Sequence, residues 1–181
     1  MSANFFMFSD PSKNIEQLEL KLGESVADFG SGSGHHSLVM ASAIGEGGVV
    51  YAIDIQKDLL SRLKKEALAN GVSNIEVVWG DLEKPSGSRL KDGAVQAVVI
   101  SNLMFQVPDK VALSKEAFRV LSPKGKVLVV DWSDSFGGIG PQTNMVFGKD
   151  SAKKLFTEAG FVFVKEISVG EHHYGIILSR P

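Results

Sequence analysis

The sequence predicts an α/β fold in which one mostly parallel β-sheet lies between two layers of helices. Strand and helix patterns alternate along almost the whole chain of 181 residues. The run 126–131 is apolar without interruption, as expected for a strand that is buried on both faces. The last two predicted strands, 161–169 and 173–179, are separated by three residues, which suffice for a hairpin but not for a crossover. We therefore expect a three-layer sandwich whose final strand runs antiparallel.

The individual elements follow from apolar periodicity and from helix end signals. A helix over 57–70 carries Leu60, Leu63 and Ala67 on one face and should end at Gly71. A later helix is capped by Asp109, turns Leu113, Ala117, Val120 and Leu121 inward, and should be stopped by Pro123. The other helices are predicted at 35–43 and 151–159, and the seven strands at 25–29, 49–54, 75–79, 94–101, 126–131, 161–169 and 173–179.

Length and patterning predict one domain, residues 1–181, because the chain is long enough to bury its own core. Residues 23–181 should form the α/β core. We expect residues 1–22 to be an N-terminal helical segment that covers the site, with an aromatic cluster followed by a helix that starts at Asp10-Pro11 (Phe5, Phe6, Phe8; Ile15, Leu18, Leu22). The irregular stretches 82–93 and 132–149 are the expected walls of the site, because loops of this length are usually functional or mobile.

Composition excludes several classes of function. The formal net charge is −2 and the pI is about 6.1, so no basic field attracts nucleic acid or an anionic membrane. The chain has no cysteine, which excludes disulfides, thiolate catalysis and sulfur-ligated metals, and no metal site is predicted. No apolar stretch approaches the roughly 20 residues of a membrane span. A soluble, cytoplasmic protein that is a monomer or homodimer is the expectation.

Residues 26–34 carry the most informative motif. An apolar run ends at Asp28, and glycines follow at alternate positions, Gly30, Gly32 and Gly34, before a helix begins. Such a strand–turn–helix connection exposes backbone N–H groups and lets a ligand approach the main chain closely. A second strand ends at Asp54, whose carboxylate is placed to accept hydrogen bonds from a ribose diol. Together the two elements predict a nucleoside-containing cofactor.

The glycine spacing helps to identify that cofactor. The dinucleotide pattern G-x-G-x-x-G/A would put His35 or Ser37 at its third position, and neither fits well. The third strand ends at Gly80-Asp81-Leu82, where the carboxylate could accept an adenine amine while Leu82 packs on the ring. The fourth strand ends at Ser101-Asn102-Leu103, which places polar groups at the rim of the central crevice.

With these motifs in order, the chain resembles the class I S-adenosylmethionine-dependent methyltransferases. It is most similar to the small enzymes of the group that includes the ubiquinone/menaquinone-biosynthesis and arsenite methyltransferases. The resemblance covers essentially the whole chain and implies a Rossmann-like fold with S-adenosylmethionine as cofactor and S-adenosylhomocysteine as product. Residues 119–126 resemble the "R-V-L-K-P-G-G" turn of the family, with Lys124 in place of the usual first glycine.

The resemblance assigns residues to the two ends of the cofactor. The glycine motif would hold the methionine part, Asp54 with Ile55 the ribose, and Asp81 with Leu82 the adenine, while the backbone of 101–103 would face the methionine moiety. The predicted cofactor-binding residues are Asp28, Gly30, Ser31, Gly32, Gly34, Asp54, Ile55, Gly80, Asp81, Leu82, Ser101, Asn102 and Leu103.

Methyl transfer is a direct in-line displacement, so positioning can supply much of the catalysis, roughly 7–11 kcal/mol. Asp131, at the end of the fifth strand, and His173, in the terminal hairpin, are the catalytic candidates; histidine titrates near neutrality and could accept a proton. Aromatic rings favour a sulfonium, and the candidates are Phe105, Trp132 and Tyr174.

The acceptor is expected to be a small, partly apolar molecule, because the candidate walls are aromatic and glycine-rich rather than charged. Three alternatives stay open at this point. The chain could be a non-catalytic sensor or subunit that binds S-adenosylmethionine or S-adenosylhomocysteine, or it could methylate RNA or protein. An NAD-binding oxidoreductase is disfavoured by the glycine spacing. Without cysteine, the thiol chemistry of arsenite methylation is disfavoured too.

Overall fold

The structure is a computed structural model, and it describes residues 9–181. A single sheet of seven strands has the order β3-β2-β1-β4-β5-β7-β6. Its strands are β1 Ser25–Phe29, β2 Val49–Asp54, β3 Ile75–Trp79, β4 Val95–Ser101, β5 Leu121–Trp132, β6 Val162–Ile167 and β7 His173–Ser179. The first five pair in parallel, and β7 pairs antiparallel with both β5 and β6. The predicted mixed sheet with an antiparallel last strand is confirmed.

Within residues 9–181, five helices cover the sheet: α1 Pro11–Glu16, α2 His35–Ile44, α3 Lys57–Ala69, α4 Lys110–Val120 and α5 Lys149–Glu158. A short 3-10 helix, Thr143–Met145, interrupts the long loop after β5. One apolar core packs α4 and α5 against one face of the sheet, and a second packs α1 and α2 against the other. Both faces of β4 and β5 are therefore buried, which explains why their sequences are continuously apolar.

The strand order reverses between β1 and β4, and β1, β2 and β4 end side by side there. We call the side of the sheet at which the parallel strands end the carboxyl edge. Because β7 runs antiparallel, its first residue, His173, also lies at this edge, opposite Trp132 at the end of β5. Ligands of open α/β sheets bind at such a position.

The structure corrects the expected start of the fifth strand. β5 begins at Leu121, directly after α4, so Pro123 lies within the strand and does not stop the helix. The register then jumps from the Val95–Leu121 pair to the Ala97–Lys126 pair. The intervening residues bulge out, with Lys124 at φ 66°. The resemblance predicts a glycine at this position, and the left-handed conformation of Lys124 explains why, because glycine adopts it without strain.

At the N-terminus, α1 begins at the predicted cap, where the Asp10 side chain accepts a hydrogen bond from the backbone of Ser12. Ile15 and Leu18 are buried as expected, but Leu22 is 81% exposed and does not pack inward. The aromatic cluster Phe5, Phe6 and Phe8 lies outside the described residues. Within residues 9–181, no helix has the length and apolar character needed to span a bilayer.

Candidate functional site

A cavity of about 380 Å³ opens at the carboxyl edge where β1, β2, β3 and β4 end. Its size falls within the usual range for small-molecule sites. The glycine turn, the loop after β2, the loop after β3 and the loop after β4 each contribute to its wall. The lining residues are Gly30, Gly32, Asp54, Ile55, Gln56, Leu59, Gly80, Asp81, Leu82, Glu83, Asn102, Leu103, Gln106 and Val107.

The glycine turn is shaped by contacts that a side chain would prevent. The amides of Gly30 and Ser31 both donate to the carbonyl of Ile53, at 2.9 and 3.0 Å, so the turn is tied to β2. A Cβ on Gly30 would come within 2.8 Å of the Leu103 side chain. Gly32, at φ 53°, has no such neighbour, because a Cβ there would meet nothing closer than 4.0 Å. Gly32 therefore leaves open space on the wall of the cavity.

Asp54 joins the turn to the loop after β2. Its carboxylate accepts hydrogen bonds from the amide of Gly32 at 2.9 Å and from the amide of Gln56 at 2.8 Å. The side chain is only 7% exposed but reaches the cavity wall. Each carboxylate oxygen can accept more than one hydrogen bond. Asp54 is thus fixed in position and still able to accept hydrogen bonds from a ligand diol.

The far wall of the cavity is the segment Gly80–Glu83. The Asp81 carboxylate accepts a hydrogen bond from the amide of Glu83 at 3.0 Å, which turns the chain away from β3. Leu82 is buried in the core under α4. On the other side of the cavity, Ile55 is 57% exposed, and its carbonyl accepts a hydrogen bond from the Trp79 indole at 3.0 Å. An exposed Ile55 and a packed Leu82 give this end of the cavity two apolar surfaces.

Asp131 organises the loop after β4. It is fully buried, and its carboxylate accepts hydrogen bonds from the amides of Met104 and Trp132, both at 2.8 Å. The amides of Phe105 and Leu103 also point to it. Burial raises the pKa of Asp131 to about 6, against the effect of these donors. The predicted catalytic candidate therefore holds backbone that lines the cavity, and its contact with a substrate stays a prediction.

The second catalytic candidate, His173, lies opposite Trp132 on the neighbouring strand, whereas Asp131 pairs with Tyr174 and faces the other side of the sheet. His173 is 7% exposed, stacks on Trp132 with ring centroids 4.2 Å apart, and neither of its ring nitrogens has a hydrogen-bond partner among residues 9–181. Burial lowers its pKa, so the ring is neutral at neutral pH. The hydroxyl of Tyr174 is likewise buried without a partner, and burial raises its pKa. Trp132 and Tyr174 are largely buried, and Phe105 is half-buried.

The loop after β5 is fixed over this corner of the sheet. The amide of Ser133 donates to the carbonyl of His172, and the His172 ring contacts Asp134 at 2.9 Å and stacks on Phe136 at 3.9 Å. A Cβ on Gly140 would lie 2.8 Å from the Trp132 ring, so the loop backbone passes directly over the indole. Of the other histidines, His35 is exposed, and burial lowers the pKa of His36 to about 4.

The comparisons with known proteins agree with this geometry. A family model described as a methyltransferase domain matches residues 20–160. The chain belongs to this methyltransferase family. It is a class I S-adenosylmethionine-dependent methyltransferase, as the resemblance implied, and its cofactor is S-adenosylmethionine.

Individual relatives are distant. The methyltransferase is 25% identical to a demethylmenaquinone methyltransferase of Listeria monocytogenes, over 86% of this chain and 77% of the relative. It is 26% identical to an arsenite methyltransferase of Halobacterium salinarum, over 79% of this chain but only 38% of that protein. A crystal structure of a SAM dependent methyltransferase from Aquifex aeolicus superimposes with a TM-score of 0.87 at 24% identity, over 96% of this chain and 91% of that one.

The cavity of the methyltransferase fits this cofactor. Gly32 leaves open space beside the turn, Asp54 offers acceptors, and the Oδ1 atom of Asn102 is buried without a partner at the cavity wall. An orphaned polar atom of this kind indicates a missing hydrogen-bond partner. Nine of the residues predicted to bind the cofactor line the cavity: Gly30, Gly32, Asp54, Ile55, Gly80, Asp81, Leu82, Asn102 and Leu103.

Four predicted residues lie outside the cavity wall. Asp28 is buried and accepts a hydrogen bond from the Ser37 hydroxyl at 2.6 Å, which ties β1 to α2; burial raises its pKa to about 6. A Cβ on Gly34 would come within 2.2 Å of Leu63, so this glycine allows α2 and α3 to pack. Ser31 is buried with its hydroxyl unpartnered, and Ser101 lies within β4.

Five lining residues were not predicted: Gln56, Leu59, Glu83, Gln106 and Val107. Each lies only one to four residues beyond a predicted site residue, Leu59 in the first turn of α3 and the others in the loops. Strand ends therefore locate the loops, but how far each loop folds back depends on tertiary contacts. Local contacts contribute too: the Gln106 side-chain NH₂ group donates to the Asn102 carbonyl at 2.8 Å.

Proposed function

We propose that the methyltransferase transfers a methyl group to a small, uncharged, protic acceptor by direct in-line displacement. The observation that carries this proposal is a set of buried polar atoms without partners around the carboxyl edge. Among residues 9–181 they belong to Ser31 and His36 after β1, to Asn102 after β4, and to His173 and Tyr174 at the start of β7; Asn14, on α1, has one further atom of this kind. Unsatisfied buried donors and acceptors are costly, by about 1–3 kcal/mol each, unless a ligand satisfies them.

The cofactor would occupy the cavity described above. Asp54 would accept the ribose hydroxyls, Asp81 and Leu82 would contact the adenine opposite Ile55, and the glycine turn would leave room for the methionine part. When bound, S-adenosylmethionine supplies an electrophilic methyl group on a sulfonium. The protein supplies position: the carboxylate of Asp131 fixes the loop that separates the cofactor cavity from the β5–β7 corner.

The charge distribution supports an uncharged acceptor. The segments that leave the carboxyl edge, 30–37, 54–56, 80–83, 101–109, 131–148 and 168–173, contain no lysine or arginine, but Lys57 and Lys84 directly follow two of them and the loop after β3 continues through Arg89 and Lys91. Lys110, which adjoins one of them, donates to the carbonyl of Val107 at 2.7 Å and lies 5.2 Å from the Phe147 ring. Binding of a carboxylate or phosphate would bury a negative charge without a countercharge. The same surroundings favour a sulfonium cation.

His173 would receive the proton of the acceptor. Its ring is neutral because burial lowers its pKa, and both ring nitrogens are free of other partners. A nitrogen that carries no proton can accept one from a hydroxyl as the new bond to carbon forms. Asp131 suits this role less well, because its carboxylate already accepts hydrogen bonds from the loop backbone. We therefore assign Asp131 a positioning role and His173 the role of base.

The relatives are compatible with this class of acceptor. One is named for demethylmenaquinone, and a hydroquinone-type acceptor would be uncharged, aromatic and protic. Another is named for arsenite, but this chain has no cysteine for thiol-based chemistry. RNA and protein acceptors are not favoured by a formal net charge of −2.

A panel of acceptors tests the proposal. Formation of S-adenosylhomocysteine is measured with simple hydroquinones and phenols, with matched benzoates and phenyl phosphates, and with amines. We expect turnover with the uncharged protic compounds, and a loss of about 10²-fold in turnover for His173→Gln. His35→Gln, an exposed histidine after the same glycine turn, is the matched control and should retain activity.

Turnover of the anionic compounds in preference to the phenols would overturn the assignment of the acceptor class. Full activity of His173→Gln would overturn the role of His173 as base, and catalysis would then rest on positioning alone. Tight binding of S-adenosylhomocysteine with no turnover of any compound would favour the sensor alternative.

A further inference from the structure

The end of the cavity that is proposed to hold the adenine is supported by residues that do not line the cavity. Its wall, Gly80–Glu83, continues into the irregular loop 84–93. In the structure this loop folds back under the wall and is held by helix α4. The contacts follow a short path from the helix to the cavity.

The first contact is backbone against backbone. A Cβ on Gly80 would lie 2.2 Å from the Gly87 carbonyl oxygen, and a Cβ on Gly87 would lie 1.7 Å from the carbonyl oxygen of Asp81. Both positions therefore require glycine. The chain around Gly87 presses directly on the two residues that start the wall. Any displacement of the loop would be transmitted to Asp81 without an intervening flexible side chain.

The next residue, Ser88, is fixed by α4. It is fully buried, and the Glu116 carboxylate accepts hydrogen bonds from its amide at 3.0 Å and from its hydroxyl at 2.5 Å. Arg119 donates to both oxygens of Glu116, at 2.8 and 2.9 Å, and to the carbonyl of Leu90 at 2.9 Å. Its remaining nitrogen contacts Asp92 at 2.5 Å. The guanidinium thus ties the second half of the loop, from Ser88 to Asp92, to one helix.

These partners keep Glu116 ionised although it is 5% exposed. Burial alone would raise its pKa, but the hydrogen bonds from Arg119 and Ser88 outweigh that effect and leave the pKa below its ordinary value. A buried pair of this kind is stable only while both partners remain, because removal of one leaves an unpaired charge.

The other end of α4 touches the wall itself. The amide of Asp109, the cap of α4, donates to the Glu83 carboxylate at 2.6 Å. Helix α4 is therefore attached to the wall at its N-terminus through Glu83 and near its C-terminus through Glu116, Ser88 and Gly87. A helix is rigid over this length, so it sets the position of the wall relative to the sheet.

We propose that Glu116 and Arg119 are positioning residues for the nucleoside end of the cofactor. They hold loop 84–93 so that Gly87 fixes Gly80–Leu82 at the distance at which an adenine fits against Ile55. The inference rests on the proposed placement of the cofactor in this cavity. It assigns a role in cofactor affinity to residues that contact neither cofactor nor acceptor.

The test compares two variants that both lose buried hydrogen bonds. Glu116→Gln keeps the shape of the side chain and removes its charge. Asn74→Ala removes two hydrogen bonds, to the carbonyls of Ala41 and Gly45 at 3.0 and 2.8 Å, at the opposite edge of the sheet. Binding of S-adenosylhomocysteine and of adenosine is measured by calorimetry, thermal stability by circular dichroism, and amide hydrogen exchange over 80–88 without ligand.

For Glu116→Gln we expect roughly tenfold weaker binding of both ligands and faster exchange over 80–88, with turnover at saturating cofactor within about twofold of the wild type. Asn74→Ala should lose stability but bind both ligands as the wild type does. If Glu116→Gln does not fold, Ser88→Ala, which keeps the backbone bond, should show the same pattern more weakly.

Equal losses of affinity in the two variants would mean that stability alone sets binding and would overturn the positioning role. Unchanged binding and exchange in Glu116→Gln would overturn it as well. Failure of the wild type to bind either ligand would instead overturn the proposed cofactor site, and the positioning role with it. Faster exchange over 80–88 would still show that the support exists.

Discussion

The side chains given a role on the two halves of the carboxyl edge differ in whether they already have hydrogen-bond partners, although the Ser31 hydroxyl and the His36 Nε2 atom on the β1 side are also unpaired. On the β1–β3 side, the Asp54 carboxylate bonds to two amides and Asp81 bonds to the amide of Glu83. On the β5–β7 side, the nitrogens of His173 and the hydroxyl of Tyr174 are buried without partners. The first half is organised before any ligand arrives. In the second half, some donors and acceptors of hydrogen bonds are unused. This is expected at the part of a fold where different family members bind different methyl acceptors.

The largest effect is expected from a substitution in the glycine turn on the β1–β3 side. Gly32→Val should abolish cofactor binding, a loss of more than about 10²-fold, because a β-branched residue at φ 53° is strained and its methyl groups would enter the open space of the cavity. Calorimetric titration with S-adenosylhomocysteine measures the loss, and circular dichroism verifies that the fold survives. Wild-type affinity in the variant would mean that the glycine turn does not face the cofactor.

Asp54→Ala removes the carboxylate that is proposed to accept hydrogen bonds from the ribose. Its affinity for S-adenosylhomocysteine should fall by about 1.5–3 kcal/mol, because charge-assisted hydrogen bonds to the ligand and to the amide of Gly32 are lost together. Asp58→Ala, an exposed carboxylate one turn away on α3, is the control and should bind normally. If the two variants bind equally well, Asp54 is not at the ribose.

Asp131→Asn tests the boundary between the halves. The asparagine would place an NH₂ group, which cannot accept a hydrogen bond, next to backbone N–H donors. The loop 103–105 should therefore shift, and kcat/KM should fall about tenfold. Asp134→Asn removes the same charge from an exposed position three residues later, in the loop after β5, and should change kcat/KM less than twofold. A similar loss in both variants would indicate that charge, rather than loop position, matters.

Asp28 gives the smallest effect, a pH dependence of stability. Burial raises its pKa to about 6 in the folded chain, from an unfolded value of 3.8. The folded state therefore binds the proton more tightly, so this group stabilises the fold most at low pH and loses that contribution as pH rises through about 6. Between pH 5 and pH 7.5, Asp28→Asn should gain roughly 1 kcal/mol in unfolding free energy relative to the wild type. Parallel urea titrations at the two pH values measure it; a constant difference would exclude the raised pKa.

The same contrast explains what the sequence could predict. The organised half is encoded locally: glycines at alternate positions and carboxylates at strand ends are visible in the chain, and nine of thirteen predicted cofactor residues line the cavity. Asp28 and Gly34 were predicted there because they belong to the motif, but they hold α2 against β1 and α3. Their contact with the cofactor stays a prediction.

The other half depends on contacts between distant segments. That Trp132 and His173 stack follows from the β5–β7 register, and Asp131 reaches the amide of Met104 across 27 residues of sequence. Likewise, no local signal links Gly87 to Gly80, or Glu116 to Ser88. The start of β5 at Leu121 was missed because Pro123 is a helix stop in isolation, whereas here the strand bulges around it.

The most direct test of the account is a calorimetric titration of the wild-type protein with S-adenosylmethionine, S-adenosylhomocysteine and NADH. The organised half predicts binding of the first two with affinities on the order of micromolar, and no binding of NADH. Tight binding of NADH without a response to either methionine-containing ligand would contradict the placement of the cofactor at Gly32, Asp54 and Asp81.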